Sequence, residues 1–443
     1  MMTITKNIFL ASMLIMGTLN SVQADTIPSL FGFAGQTILS ISDADMVASA
    51  YTDGKLGERE GSDVLSIIQF DDSENQYSSL EVPASNSVAG PPAALAVDSL
   101  NQYAYIIETF SPRPSNNEPH TFSDLNPGNK LTVYDIKNTL APKLIATHTI
   151  PERPDSIDVS PDGQWLIISF HPNTNGSKMP LGLYKMNKGE IALSIYPDIP
   201  HWNTRHRLIF SSWHPTKNIF SVINQTTADV SFYEFNEKEQ SIVQWGNTVS
   251  VGKSPFIGRF SQNGKHFLVN NLFWGNDVQG KWNEAPNGTI ANIALDVDSK
   301  TIRHALSSQV MVGASPEGFA LSPDGSLVVS ANMERSWLPY DDPRQSWYSS
   351  LTLIQRDSLT GAMNVLHTYP FDSILPESLV FDATSKHLAV ATYDHFNPKE
   401  RGGSIDFFRI VSDPLNKHKK MIMQMRNSVS VTRGVHSMVL LKR

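Results

Sequence analysis

The sequence predicts an all-β fold: a seven-bladed β-propeller of four-stranded antiparallel blades, its ring closed by N- and C-terminal strands in one blade. Three observations predict it. A motif of two short strands around a tight turn recurs through the chain. Each full copy is followed by two more strand-like segments. The last copy ends after a single strand at the C-terminus, while strand-like segments without a motif stand near the N-terminus.

The motif is clearest in PDSIDVSPDGQWLIIS from Pro154 and PEGFALSPDGSLVVSA from Pro316. Further copies begin at Pro92, Pro255 and Pro376, a divergent one at Arg207, and a partial one, GVHSMVLLKR, at Gly434. Their starts lie between 48 and 62 residues apart. Large apolar residues alternate with polar ones, the period of a half-buried strand. In Ser-Pro-Asp-Gly, proline presets one turn dihedral and glycine takes the positive φ that other residues resist.

The third and fourth strands follow in turn. They are KLTVYDI and KLIATHTI after Pro92, LGLYKM and IALSIY after Pro154, and VSFYEF and SIVQWG after Arg207. GTIANIALD and IRHALSSQ follow Pro255, SLTLIQRD and MNVLHTY follow Pro316, and SIDFFRI and MIMQMRNS follow Pro376. Four strands repeated at this interval describe propeller blades. Six copies are complete. The seventh joins the C-terminal strand to N-terminal strands expected around Met46–Tyr51, Asp63–Phe70 and Tyr77–Val82. Such a blade replaces an open sheet edge with a paired one. Separate β-sandwiches would not explain one motif recurring in phase to the chain end.

Residues 1–24 read as a secretory signal, with Lys6 at its start, an apolar run from Ile8 to Leu19 and Val22-Gln23-Ala24 at its end. That run is shorter than the ~20 residues of a spanning helix, so a retained anchor is the lesser alternative. Residues 25–443 are expected to form one domain, periplasmic or secreted, monomeric and without a membrane span. There is no cysteine, so the exported chain must rely on burial and strand pairing. The net charge of -8 argues against nucleic acid and anionic lipid as partners.

The blade motifs resemble those of the lactonase-like and YVTN-repeat seven-bladed propellers. The resemblance spans nearly the whole chain beyond the signal, but its motifs shape blades and perform no chemistry. It implies either a sugar-lactone hydrolase or an exported protein with a binding role. The His, Glu and Arg catalytic set of the hydrolases has no clear counterpart here. The histidine of SWHPTKN falls in the turn after its first strand, away from the usual ligand face.

Propeller geometry sorts the polar residues. Arg153, Asp155, Arg205, His206, Lys253, Glu317, Glu377, Arg433 and His436 stand at the starts of inner strands, by one mouth of the channel. Glu108, His171, Asn224, Asn270, Asn332, Glu334, Arg335, Asp394 and His395 end the second strands and form the next ring. Loops on this face are long at 109–129, 272–287, 333–349 and 394–403. Long loops on a rigid scaffold commonly carry function. They hold Trp274, Trp282, Trp337, Trp347 and Tyr348, which suit sugar rings, peptides or flat ligands if exposed.

Two functions follow. In the first, the ring is a binding scaffold for a small polar ligand or a protein, peptide or glycan partner. Its contact residues are Arg153, Asp155, His206, Asn270, Asn332, Glu334, Asp394, His395, His436 and Trp337. In the second, a lactone is hydrolysed: Arg153 or Arg335 polarises the carbonyl, Glu317, Glu377 or His171 activates water, and Asn332 orients the substrate. Glu317 and Glu377 occupy equivalent blade positions, as paired carboxylates or as acceptors for loop N–H groups. The histidines and tryptophans have the same two readings, site or scaffold. No phosphate loop, HExxH or GxSxG motif occurs, no local metal motif is present, and no cofactor is expected.

Overall fold

The computed structural model describes residues 31–442 except 72–75, 87–90, 115–120, 173–178, 274–285, 298–301, 398–400 and 418. The signal segment, Trp274 and Trp282 therefore lie outside the described residues. Seven antiparallel sheets are arranged around a ring, and each has four strands in meander order. The inner strands, blade 1 to blade 7, are Leu95–Val97, Pro154–Val159, Leu208–Trp213, Pro255–Phe260, Pro316–Leu321, Ile374–Phe381 and Val435–Leu440. Each packs against the next, and that of blade 7 against that of blade 1. Blade 3 carries one additional short strand, Val249–Ser250.

The repeated turns have a common internal bond. In Ser160-Pro161-Asp162-Gly163 and Ser322-Pro323-Asp324-Gly325 the serine hydroxyl donates to the aspartate and accepts the N–H that starts the second strand. Gly163 and Gly325 both have φ of 73°, the left-handed value that glycine adopts without a Cβ penalty. Blade 1 achieves the same turn with Asp98, whose carboxylate accepts from the N–H groups of Gln102 and Tyr103.

Blade 7 is shared by the chain ends, as the sequence predicts. Val435–Leu440 pairs with Thr37–Ser42, then come Val64–Phe70 and Tyr77–Pro83. One strand assignment needs correction. Met46–Tyr51 is not a strand; the strand beside the C-terminus is Thr37–Ser42. TILSIS has the alternation of a strand, whereas Ala50–Asp53 forms one helical turn that ends on the left-handed Gly54. The segment from Asp43 to Ser62 is thus the long mouth-side loop of blade 7.

The core lies between blades. Apolar faces of adjacent sheets meet in clusters such as Phe31, Phe33, Phe70 and Phe407, where blade 6 meets blade 7. Serine latches tie inner strands across the gaps. Ser156 Oγ accepts Ser211 N, Ser378 Oγ accepts Met438 N, and Ser437 Oγ accepts Ala94 N. The last of these joins blade 7 to blade 1. Among the described residues, no helix is long and apolar enough to cross a membrane.

Candidate functional site at the long-loop mouth

The mouth is shaped by a repeated irregularity. Inner strands slip register against their second strands between Pro154 and Ser156, Pro255 and Gly258, Pro316 and Gly318, and Pro376 and Ser378. Blade 7 slips between Val435 and Ser437. Such bulges leave one residue unpaired and re-aim its side chain. The re-aimed residues include Asp155, Glu317, Glu377 and His436, all buried. The residue before each slip has positive φ: Arg153 57°, Ser254 54°, Ser315 51°, Leu375 54° and Gly434 86°. The non-glycine cases cost on the order of 1–3 kcal/mol each. The fold thus holds four blades under strain at the same point of the rim.

The mouth divides electrostatically. On the side of blades 2 and 3, Asp155 accepts two bonds from Arg207, at 3.0 and 2.9 Å. The Arg153 guanidinium lies 4.4 Å from the ring centre of Phe110. Burial, aided by the Arg207 charge, pushes His171 down to about 4, so its imidazole is neutral at pH 7.

On the side of blades 5, 6 and 7 the charge is acidic. Burial raises the Glu317 carboxyl well above its ordinary value. Glu377 is raised by burial first, then by the charges of Glu317 and Asp43. Neither Glu377 oxygen has a hydrogen-bond partner among the described residues. Tyr51, on the helical turn of the blade 7 loop, has its hydroxyl held protonated by burial and then by Glu377. Tyr393 donates to Met46 O at 2.8 Å and so clamps that loop over the mouth. Asp43 and Asp45, at the start of that loop, and Asp63, just after its end, each have one oxygen within 4.8 Å of the others. Burial, then Asp43 and Asp45, raises Asp63.

The sequence-predicted residues separate into those that meet at the mouth and those that serve the scaffold. Glu317 and Glu377 meet; Arg153, Asp155 and His171 form the opposite cluster. Asn270 is fully buried and its amide donates to the carbonyls of Pro316 and Glu317, clasping blade 4 to blade 5. Asn332 is also fully buried and donates to Ser350 and Thr352. Glu334 accepts from Ser350 Oγ and Ala314 N. His436 is buried and bonded to Asn86 at 2.7 Å; burial pushes it down to about 3. His206 lies in a separate groove of about 120 Å³ beside Trp202 and Tyr233.

Trp337 is 1% exposed; it packs with Met333, Leu338, Leu375 and Tyr393 and also lines a cavity of the long-loop face. Arg335, at φ 97° on the same loop, makes no hydrogen bond or ion pair with Glu317 or Glu377 among the described residues.

Tyr340, Trp347 and Tyr348, on the mouth loop of blade 5, are exposed at 66%, 55% and 47%. Trp347 lies edge-on to Tyr340 at 4.7 Å and 5.6 Å from Phe396. Beside these rings opens a cavity of about 230 Å³ whose polar lining includes Gln345, Asp394, His395, Arg401 and Arg433. His395 is held by Ser404, and Asp394 by the N–H groups of His395 and Gly402.

Sequence reasoning missed two groups. Asp43, Asp45 and Asp63 lie in the one blade whose motif copy is partial, on its N-terminal side where none stands; the alternating acids of SISDADM were the available signal. Asp158 and Arg259 face the opposite mouth, in a cavity of about 400 Å³. Burial pushes Asp158 up to about 6, and Arg259 donates to Phe319 O.

Solved structures superpose over most of the chain. A candidate 6-phosphogluconolactonase of Bacteroides uniformis aligns at TM-score 0.61 and 12% identity, over 91% of this chain and 99% of its own. One of Bacteroides fragilis aligns at 0.60 and 13%, over 92% and 98%. The periplasmic gluconolactonase of Pseudomonas aeruginosa aligns at 0.57 and 12%, over 92% and 99%. No family model and no curated protein matches the sequence. At these identities the likeness shows the fold alone, a seven-bladed β-propeller.

Proposed function

We propose that the chain is an exported binding propeller that takes a saccharide end, free or on a glycan, at its long-loop mouth. The observation that carries this reading is the rim ledge of Tyr340, Trp347 and Phe396 beside a polar cavity. Aromatic faces bind the apolar face of a sugar ring, and the planar side chains of Gln345, Asp394 and Arg401 suit its hydroxyls. The ledge stands on a ring whose inner strands are latched to their neighbours, so little ordering cost opposes binding. The test is a glycan array followed by titration calorimetry on the best ligand. Trp347→Ala is expected to weaken binding about 30-fold, the ~2 kcal/mol of an aromatic anchor. Unchanged binding by that variant, or no glycan bound at all, overturns the reading.

A second reading, lactone opening at Glu317 and Glu377, is favoured by the raised proton affinity that burial gives the two carboxyls. The names of the Bacteroides and Pseudomonas neighbours agree with it. Against it, no guanidinium among the described residues is bonded to the pair, and Glu377 is closed to solvent. Turnover of any lactone that vanishes in Glu377→Gln would place this reading first.

A further inference from the structure

At the other end of the channel, away from the long loops, the inner strands of blades 1 to 4 and of blade 7 line a cavity of about 400 Å³. Small-molecule sites commonly measure ~300–1,000 Å³. The repeat explains its charged groups. Asp158 and Arg259 each stand four residues after their blade's proline, Pro154 and Pro255, where blades 1, 5 and 6 carry Ala96, Ala320 and Val380. A carboxylate and a guanidinium thus stand at one level of the ring, both half-buried and both lining the cavity. Different anchors hold the two charges apart. Each oxygen of Asp158 accepts a backbone N–H, from Val159 and from Trp213 of blade 3, both at 2.8 Å. Arg259 leans the same way round the ring, toward blade 5. Its Nε donates to Phe319 O at 3.0 Å, and its guanidinium carbon lies 6.0 Å from the Phe319 ring centre. No ion pair joins it to Asp158, and among the described residues its two terminal nitrogens have no partner. A second cation stands at the rim. Lys442 lines the same cavity, and its backbone exchanges hydrogen bonds with Asn101 in the turn of blade 1. His214 adds no charge: its Nδ1 accepts Thr216 N, its Nε2 bonds to Gly264 O, and burial lowers its proton affinity. Two cations therefore face one carboxylate.

We propose that this cavity binds a small hydroxycarboxylate, its carboxylate on the terminal nitrogens of Arg259 and a hydroxyl on Asp158. The terminal nitrogens of a guanidinium offer two parallel N–H bonds that match the two oxygens of a carboxylate. The backbone bonds to Asp158 orient its carboxylate and leave lone pairs on both oxygens, which a ligand hydroxyl can fill. Lys442 at the rim attracts the anion from a distance. Both ends are needed for selectivity. An acid without a hydroxyl leaves Asp158 with no polar partner from the ligand, and a polyol without a carboxylate leaves the guanidinium unmatched. A phosphate dianion brings a second negative charge toward Asp158. The site lies at the opposite mouth from the saccharide ledge and its readout involves no saccharide, so either reading can fail alone.

The experiment is titration calorimetry of the purified full-length protein with glycerate and lactate, in low-salt buffer at neutral pH. Acetate, glycerol and inorganic phosphate are the controls. Glycerate is expected to bind with one site per chain, about tenfold or more tighter than acetate or glycerol. Arg259→Gln, whose amide can keep the bond to Phe319 O, is expected to weaken glycerate about thirtyfold, as the loss of a bidentate charge-assisted pair does. Asp158→Asn is expected to shrink the preference for glycerate over acetate. Lys442→Gln, on the surface, is expected to weaken glycerate about threefold and to flatten its salt dependence; it serves if Arg259→Gln does not fold. Absence of saturable binding by both hydroxy acids up to roughly 10 mM overturns the proposal. So does glycerate binding that is unchanged in both Arg259→Gln and Lys442→Gln, or acetate or phosphate that binds as tightly as glycerate.

Discussion

Deleting residues 434–443 removes the inner strand of blade 7 and tests the circular architecture directly. The strand buries Val435 completely and Met438 to 5% exposure. At about 1.5–3 kcal/mol per fully buried apolar side chain, their loss costs about 3–6 kcal/mol. Also lost are the ladder to Thr37–Ser42 and the latches to Ser378 and Ala94. Net contributions of about 0.5–1.5 kcal/mol per hydrogen bond add several more. The total matches the roughly 5–15 kcal/mol that stabilises a typical native state. Truncation also bares the edge of Thr37–Ser42, a template for aggregation. Near-UV circular dichroism and calorimetry of the chain ending at Arg433 are expected to show no cooperative native melt. A synthetic peptide of residues 434–443 is expected to restore part of it. A truncated chain that melts within two or so degrees of the intact one would refute the shared blade, and the mouth built on it.

Three further outcomes follow from the same rim. Gly434→Ala would place a Cβ 1.8 Å from the Asp43 carbonyl oxygen at φ 86°; denaturant unfolding is expected to show a loss of at least about 2 kcal/mol. Gly163→Ala, at a turn where the nearest atom is 3.4 Å away, is the milder control at about 1 kcal/mol. Asp155→Ala leaves Arg207 without its carboxylate and is expected to cost about 3–5 kcal/mol, and Asp155→Leu with Arg207→Met to recover most of it. His436 is pushed down to about 3 by burial, against about 6.5 in the unfolded chain. The unfolded chain therefore takes up a proton that the native one refuses. The stability this histidine contributes is present above pH 6.5 and declines by up to about 1.4 kcal/mol per pH unit as the pH falls toward 3. Stability measured from pH 7.5 to 4.5 is expected to fall less steeply in His436→Gln; an identical slope would show that the imidazole is not buried neutral.

Fold and site were legible to different depths. Glu317 and Glu377 could be paired from the sequence because the repeat superimposes Pro316 on Pro376. Asp155 and His436 followed from the same superposition. Asp43 and Asp63 could not, since the blade they belong to has no motif copy on its N-terminal side and its first strand was misplaced onto Met46–Tyr51. Trp337 read as a loop aromatic, which spacing cannot distinguish from a core aromatic; its burial against Leu375 and Tyr393 depends on how a mouth loop folds back over blade 6.

Local physics explains the division. Alternation with period two, the Ser-Pro-Asp-Gly turns and their recurrence are properties of neighbouring residues, and they determined the blades, the ring and every strand but the one misplaced onto Met46–Tyr51. The electrostatics of the mouth are not local. Bulges turn Glu317 and Glu377 inward, and ring closure brings Asp43, from the other end of the chain, near enough for its charge to act on Glu377. Burial then raises the proton affinity of both glutamates and leaves Glu377 without a partner among the described residues. Only the closed tertiary structure decided these, because burial and charge proximity arise between blades and no single blade contains them.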